Sequence, residues 1–190
     1  GGIHCFNNSS PLITNCVING NDARLYGGGV FCYFNSSPTI SDCILSGNKC
    51  SVSGGAIACY IASSPSIINC TISQNEAEQG GAIFCEDNSS PEITACTLSE
   101  NAALRGGGIA TKNLCSPIIM NTILWNNAAP DGPEIYLSDT SSLAVSFSDV
   151  EGGEAAASVG VGCVLNWGGG NINEDPLFAG TADYHLTMDS

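Results

Sequence analysis

A unit of 26–27 residues repeats through the first two-thirds of the chain. Gly54-Gly55-Ala56-Ile57 returns as Gly80-Gly81-Ala82-Ile83, with variants at Gly28-Gly29-Val30 and Gly107-Gly108-Ile109. A Ser-Pro or equivalent pair ends at Pro11, Pro38, Pro65, Pro91 and Pro117, so the spacings are 27, 27, 26 and 26. A fixed period in this range marks a solenoid, in which each unit buries its apolar face only against its neighbours.

Each unit divides into three short strand-like pieces: Gly-Gly-Xaa-Ile-Xaa-Cys, Ser-Pro-Xaa-Ile and Cys-Xaa-Ile/Leu-Xaa-Xaa-Asn. Apolar residues alternate within each piece, as in a strand with one buried face. Gly, Asn, Ser and Pro stand between the pieces as turn residues. Three strands and three turns per unit make one coil of a parallel β-helix. The length then predicts an all-β solenoid of about six to seven coils: five regular coils over 1–131, and irregular coils with a cap-like segment over 132–190.

Five inward columns follow. Three are aliphatic: Ile3, Val30, Ile57, Ile83 and Ile109; Ile13, Ile40, Ile67, Ile93 and Ile119; Ile18, Leu45, Ile72, Leu98 and Leu124. Two are cysteine columns: Cys5, Cys32, Cys59 and Cys85; and Cys16, Cys43, Cys70 and Cys96, completed by Thr122. In-register parallel strands aim neighbouring Cβ vectors the same way, at the strand spacing of ~4.8 Å, beyond the usual disulfide Cβ separation. Both columns are therefore expected to be buried free thiols acting as small hydrophobes. A line of thiols also lacks the convergence that tetrahedral zinc needs. Cys50, in a turn, and Cys115, in place of a turn serine, are expected to be more accessible or paired; Cys163 also lies outside the columns. Asn21, Asn48, Asn75, Asn101 and Asn127 are expected to form an amide ladder at a bend, each bonding the next coil.

The charge balance excludes some functions. Four basic against 18 acidic residues give a net charge of -14. Nucleic acid and anionic membrane surfaces need Lys/Arg clusters that are missing here. No apolar run reaches the length of a membrane span. The chain opens inside a repeat at Gly1-Gly2-Ile3 and is expected to belong to a longer polypeptide.

The Gly-Gly-Ala-Ile motifs, each followed by Ile72-to-Asn75 or Leu98-to-Asn101, resemble the repeats of polymorphic outer-membrane proteins. The tail, Ser146-Phe147-Ser148-Asp149-Val150-Glu151-Gly152-Gly153 and then Gly170-Asn171-Ile172 through Asp175-Pro176-Leu177-Phe178, is similar to β-helix regions of large secreted bacterial surface proteins with the pectin-lyase-like fold. The resemblance implies right-handed coils and a secreted or surface-displayed passenger, adhesive or polysaccharide-directed.

The candidate chemistry is sparse. Asp42, Glu86, Asp87, Glu92, Asp149 and Glu151 share no repeat position; Arg24 and Arg105, and His4 and His185, stand far apart in the chain. A lyase needs a base with charge neutralisation, and a hydrolase a positioned carboxylate pair. Asp131, Glu134 and Asp139, or Glu174, Asp175 and Asp183, offer hard oxygens to a surface Ca²⁺ but match no fixed calcium loop, so they read as solvated loop acids. Asn7, Asn8, Asn35, Asn69 and Asn88 meet the glycosylation sequon. Phe6, Tyr33 and Tyr60 share one outward position, and Phe31 and Phe84 a second. Such a stripe either stacks on sugar rings or a protein partner, or has its stems covered by a neighbouring loop. The expectation is a non-catalytic extracellular structural or adhesive module of a larger surface protein or fibre, with end-to-end self-association, no cofactor, and a glycan or cell-surface protein as partner. The rival is a polysaccharide lyase or glycoside hydrolase.

Overall fold

The computed structural model describes residues 1–180 and 183–187. They wind into about six coils, each contributing one strand to each of three parallel sheets of seven, seven and six strands. The first sheet starts with Ile3–Phe6, Val30–Tyr33, Ile57–Tyr60 and Ile83–Glu86; the second with Leu12–Thr14 and Thr39–Ser41; the third with Val17–Asn19 and Ile44–Ser46. Pairing sets like on like: Val30 on Ile57, Cys32 on Cys59, Ile67 on Ile93, Ile72 on Leu98. All three aliphatic columns line one continuous core, with only Ile3 at its end half-buried. Each fully buried Ile or Leu contributes roughly 1.5–3 kcal/mol, and identical residues in register lock the coils against slippage.

The glycine pair at each corner has two separate causes. Gly54 has φ +72, a conformation open to Gly at no steric cost. Gly55 has an ordinary φ, but a Cβ there would lie 2.3 Å from the Gly81 carbonyl oxygen of the next coil. Between the third and first sheets a short fourth ladder forms, Asp22–Ala23 with Lys49–Cys50, continued by bridges Lys49–Glu76, Glu76–Ala102 and Ala102–Ala128.

The bends carry hydrogen-bond ladders. Asn48 Oδ1 accepts from both the Asn21 backbone N–H (3.1 Å) and Asn21 Nδ2 (2.9 Å), while Asn48 Nδ2 donates to Asn75 Oδ1 (3.0 Å) and to the Ile18 carbonyl (2.8 Å). The same pattern continues through Asn101 to Asn127. A serine ladder sits at another bend: the N–H groups of Ser9, Ser36 and Ser63 donate to the hydroxyls of Ser36, Ser63 and Ser89, each at 3.1 Å.

The structure corrects several expectations. The second cysteine column is not simply apolar packing. Cys43, Cys70 and Cys96 lie in the bend before each third-sheet strand, and their thiols donate to the carbonyls of Ser41, Ile68 and Thr94 (3.1–3.3 Å). Cys96 Sγ accepts from the Cys70 N–H, and Thr122 and Ser148 hydroxyls take the same slot in later coils. Cys50 is buried, not accessible, because the fourth ladder packs it between Ala23 and Ala77. Cys115 is buried too: it fills the serine-ladder slot, with its N–H on Ser141 Oγ (3.3 Å) and its thiol donating to the Lys112 carbonyl. Burial raises its pKa to about 11. All eleven cysteines are free.

The C-terminal segment does two things. Residues 168–175 add a last partial rung, where Asn171 Oδ1 accepts the Ser148 N–H (3.0 Å) and Ile172 pairs with Asp149. The antiparallel pair Phe178–Gly180 and Asp183–Leu186 then turns back along the flank, so that Tyr184 and His185 share a groove with Ile44, Ser46 and Ser73 of the third sheet. Within the segment expected over 132–190, residues 181, 182 and 188–190 lie outside the described residues.

Candidate functional site

The outer face of the first sheet carries a wall of rings. Alternation turns Phe6, Tyr33 and Tyr60 away from the core, one per coil, with Phe31 and Phe84 two residues earlier in their strands. Phe6 stacks on Tyr33 (centroids 5.7 Å, interplanar 12°), His4 on Phe31 (4.9 Å, 16°), and Phe31 on Tyr33 (5.5 Å, 24°). Tyr26 comes over from the neighbouring turn and meets Phe31 at 5.4 Å and Tyr60 at 4.6 Å.

The stripe is therefore not uniformly exposed. Phe6 is 51% exposed and Tyr33 half-buried, whereas Tyr60 is 8% and Phe84 1% exposed. Tyr60 and Phe84 (centroids 5.5 Å apart) form a satellite cluster with Ala58 and Ala110, outside the main core. The physical reason is the small side chain at Ala58 and Ala110, which lets the rings lie down between coils, and the turn that brings Tyr26 and Ser53 over Tyr60. Burial raises the Tyr60 pKa well above that of an ordinary phenol.

The rings, with Ile61, enclose a groove of about 540 Å³. It runs from His4 and Phe6 in the first coil to Glu86 and Asp87 in the fourth. Glu86 Oε1 meets Lys112 Nζ at 3.3 Å and accepts from Asn113 Nδ2 at 3.1 Å; Asp87 Oδ1 accepts from the same Asn113 amide at 3.1 Å. Sequence reasoning found the outward rings and named Glu86, which stands in register with Tyr60, and Asp87 among scattered acids, but it missed Tyr26, which occupies no repeat column, and did not join the acids to the rings in one groove.

The remaining candidates are not brought together. Asp42 accepts from Asn69 Nδ2, and Glu92 pairs in register with Ser66 and Ile118. Asp149 accepts the Glu174 N–H, and burial raises its pKa. His4 lies on the first sheet, while His185, bonded to Asp183, lies beside the third. Among the described residues the salt bridges are Lys49–Glu76, Lys112–Glu86 and His185–Asp183, and neither arginine takes part. The proposed Ca²⁺ sets do not converge: among the described residues no three His, Cys, Asp or Glu side chains are placed to hold a metal. A second surface groove of about 530 Å³, lined by Asp22, Lys49, Glu76 and Glu78, contains no ring.

Among the described residues Glu134 is the one carboxylate with a large shift, and it is not the solvated loop acid expected from the sequence. It is 1% exposed. Its two oxygens accept the Asn127 N–H (3.1 Å) and Asn127 Nδ2, so it occupies the place where a sixth ladder amide would stand. Burial, with Glu151 close by, raises its pKa to about 7 against the effect of those bonds. With both oxygens committed to Asn127, it is a structural cap.

The fold has the sheet count, parallel register and coil length of one known class, and a family model described as the right-handed β-helix region matches residues 1–175. The chain belongs to the right-handed β-helix family. No curated protein and no solved structure matches it. No helix among the described residues is long and apolar enough to cross a membrane.

Proposed function

We propose that this β-helix is a non-catalytic binding module that presents its aromatic groove to a glycan outside the cell, as part of a larger surface protein. The observation that carries this reading is the continuous ring wall of Phe6, Tyr33, Phe31 and Tyr26, held on a rigid sheet across successive coils. Because these rings stack on one another, a sugar's apolar C–H face packs on their outer rim, and preordered rings lose little entropy on binding. Coil spacing of ~4.8 Å places successive rings about one pyranose unit apart. The groove needs no cofactor for this chemistry. End-to-end contact between coil edges is the companion route to association; electron microscopy showing only monomers at every concentration would remove it.

A glycan array with a parallel turnover assay, with and without Ca²⁺, tests the main reading. Binding without product release is expected, weakened about three- to tenfold by Tyr33→Ala, the worth of one aromatic contact. Product release would overturn it, and so would binding that Tyr33→Ala leaves intact.

A further inference from the structure

The groove has an electrical direction. Its ring-lined end holds Phe6, Phe31 and Tyr33; its other end holds two carboxylates, Glu86 and Asp87, three coils away. Lys112 lies against Glu86 at 3.3 Å and offsets one of the two charges. Asp87 has no cation: Asn113 occupies Oδ1, and no hydrogen bond to Oδ2 occurs among the described residues. One net negative charge therefore closes an aromatic trough, within a chain of net charge -14. A carboxylate without a cation at the end of an apolar trough favours a cationic group through a charge-assisted hydrogen bond. It disfavours an acidic sugar, whose carboxylate would meet Asp87 across a partly desolvated gap.

We propose that the groove selects a linear oligosaccharide of free amino sugars, lying along the solenoid axis with one ammonium at Asp87. This rests on the glycan reading above and names its class. Three intervals of ~4.8 Å between the first and fourth coils give the groove the reach of about a trisaccharide. The sugars pack on the outer rim of the Phe6, Phe31 and Tyr33 stack in the first two coils, pass over the buried Tyr60, and the terminal amine donates to the free oxygen of Asp87.

The test is calorimetric titration of the intact protein with chitotriose in its deacetylated and N-acetylated forms, beside the variants Asp87→Asn and Tyr33→Ala. Asp87 has φ 55, a conformation asparagine adopts readily, and asparagine still accepts from Asn113, so the variant keeps the fold. The expected result is at least about tenfold tighter binding of the deacetylated trimer, the worth of one charge-assisted hydrogen bond. Asp87→Asn should collapse that ratio to within about twofold of unity. Equal or stronger binding of the N-acetylated form, or a ratio that survives Asp87→Asn, overturns the amine selectivity while the groove reading stands. Binding of neither trimer also overturns it. The groove reading itself falls if Tyr33→Ala changes no glycan signal or if product is released.

Discussion

Cys59 and Cys70 belong to the same coil, are both buried, and face opposite demands. Cys59 sits between Cys32 and Cys85 in the first sheet, lining the apolar core. Cys70 sits at a bend, with its thiol donating to Ile68 and its N–H donating to Cys96. Cys59→Ser should lower stability by about 2 kcal/mol, the penalty for burying a hydroxyl without a matched partner. Cys70→Ser should stay within about 0.5 kcal/mol, because Ser148 already makes the same bonds three coils later. Urea melts of the two variants check this; equal losses would mean that both columns are plain packing. Glu134 gives a second prediction. Its folded pKa of about 7 lies above the ordinary carboxylate value, so between those two pH values the folded state keeps a proton that the unfolded chain releases. Stability contributed by this group therefore falls as pH rises through that window, by on the order of 3 kcal/mol, and the full penalty stands above it. In Glu134→Gln the amide oxygen accepts both Asn127 donors, as each ladder asparagine does, and the extra slope disappears; denaturation midpoints of both proteins at mildly acidic and mildly alkaline pH read the difference. The core columns were legible because identical residues recur at fixed spacing. Glu134 was not, since its partner lies seven positions away rather than one period away. The available signal was negative: the asparagine column stops at Asn127 while a glutamate replaces the Gly/Ala that precedes Ile in other coils.

At the scale of elements, the bends set the register as firmly as the strands. An internal ladder asparagine answers three neighbours. Asn75 Oδ1 accepts the Asn48 N–H and Asn48 Nδ2, and its own Nδ2 donates to Leu45 and Asn101. Asn75→Ala orphans these buried groups at once and should lower stability by about 3 kcal/mol or more, given about 1–3 per unsatisfied group. Asn21, partly exposed with one ladder neighbour, should lose less than half as much when changed to Ala. Thermal melts ranking the two variants the other way would show that the ladder is incidental to stability. The asparagine bend was readable from sequence, whereas the serine and second cysteine ladders were not. A serine before a proline signals a turn whether or not its hydroxyl reaches the next coil, and a cysteine fits an apolar column as well as a hydroxyl slot. The aromatic face shows the same limit: alternation fixes which side of the sheet Tyr60 and Phe84 leave from, but small neighbours and a turn six to seven residues upstream decide whether they meet solvent.

Across the whole molecule each coil contacts only those above and below, so stability is close to a sum of coil and interface terms. Amide exchange should be slowest in the third to fifth coils and faster towards both ends, in a graded rather than all-or-none profile. Uniform protection would mean that the coils unfold as one unit. The C-terminal pair lying along the third sheet was beyond the reach of sequence, because no period connects Tyr184 to Ser73. The asparagine ladder is directional. Every amide in it points its oxygen towards the first coil and its N–H towards the fifth, so five amide dipoles add head to tail along the axis. Glu134 stands at the positive pole of that row, as an acid does at the start of an α-helix. A stack of near-identical coils is thus a polar rod rather than a symmetric one. A carboxylate completes its far terminus, and a cation is what the Asn21 terminus would welcome.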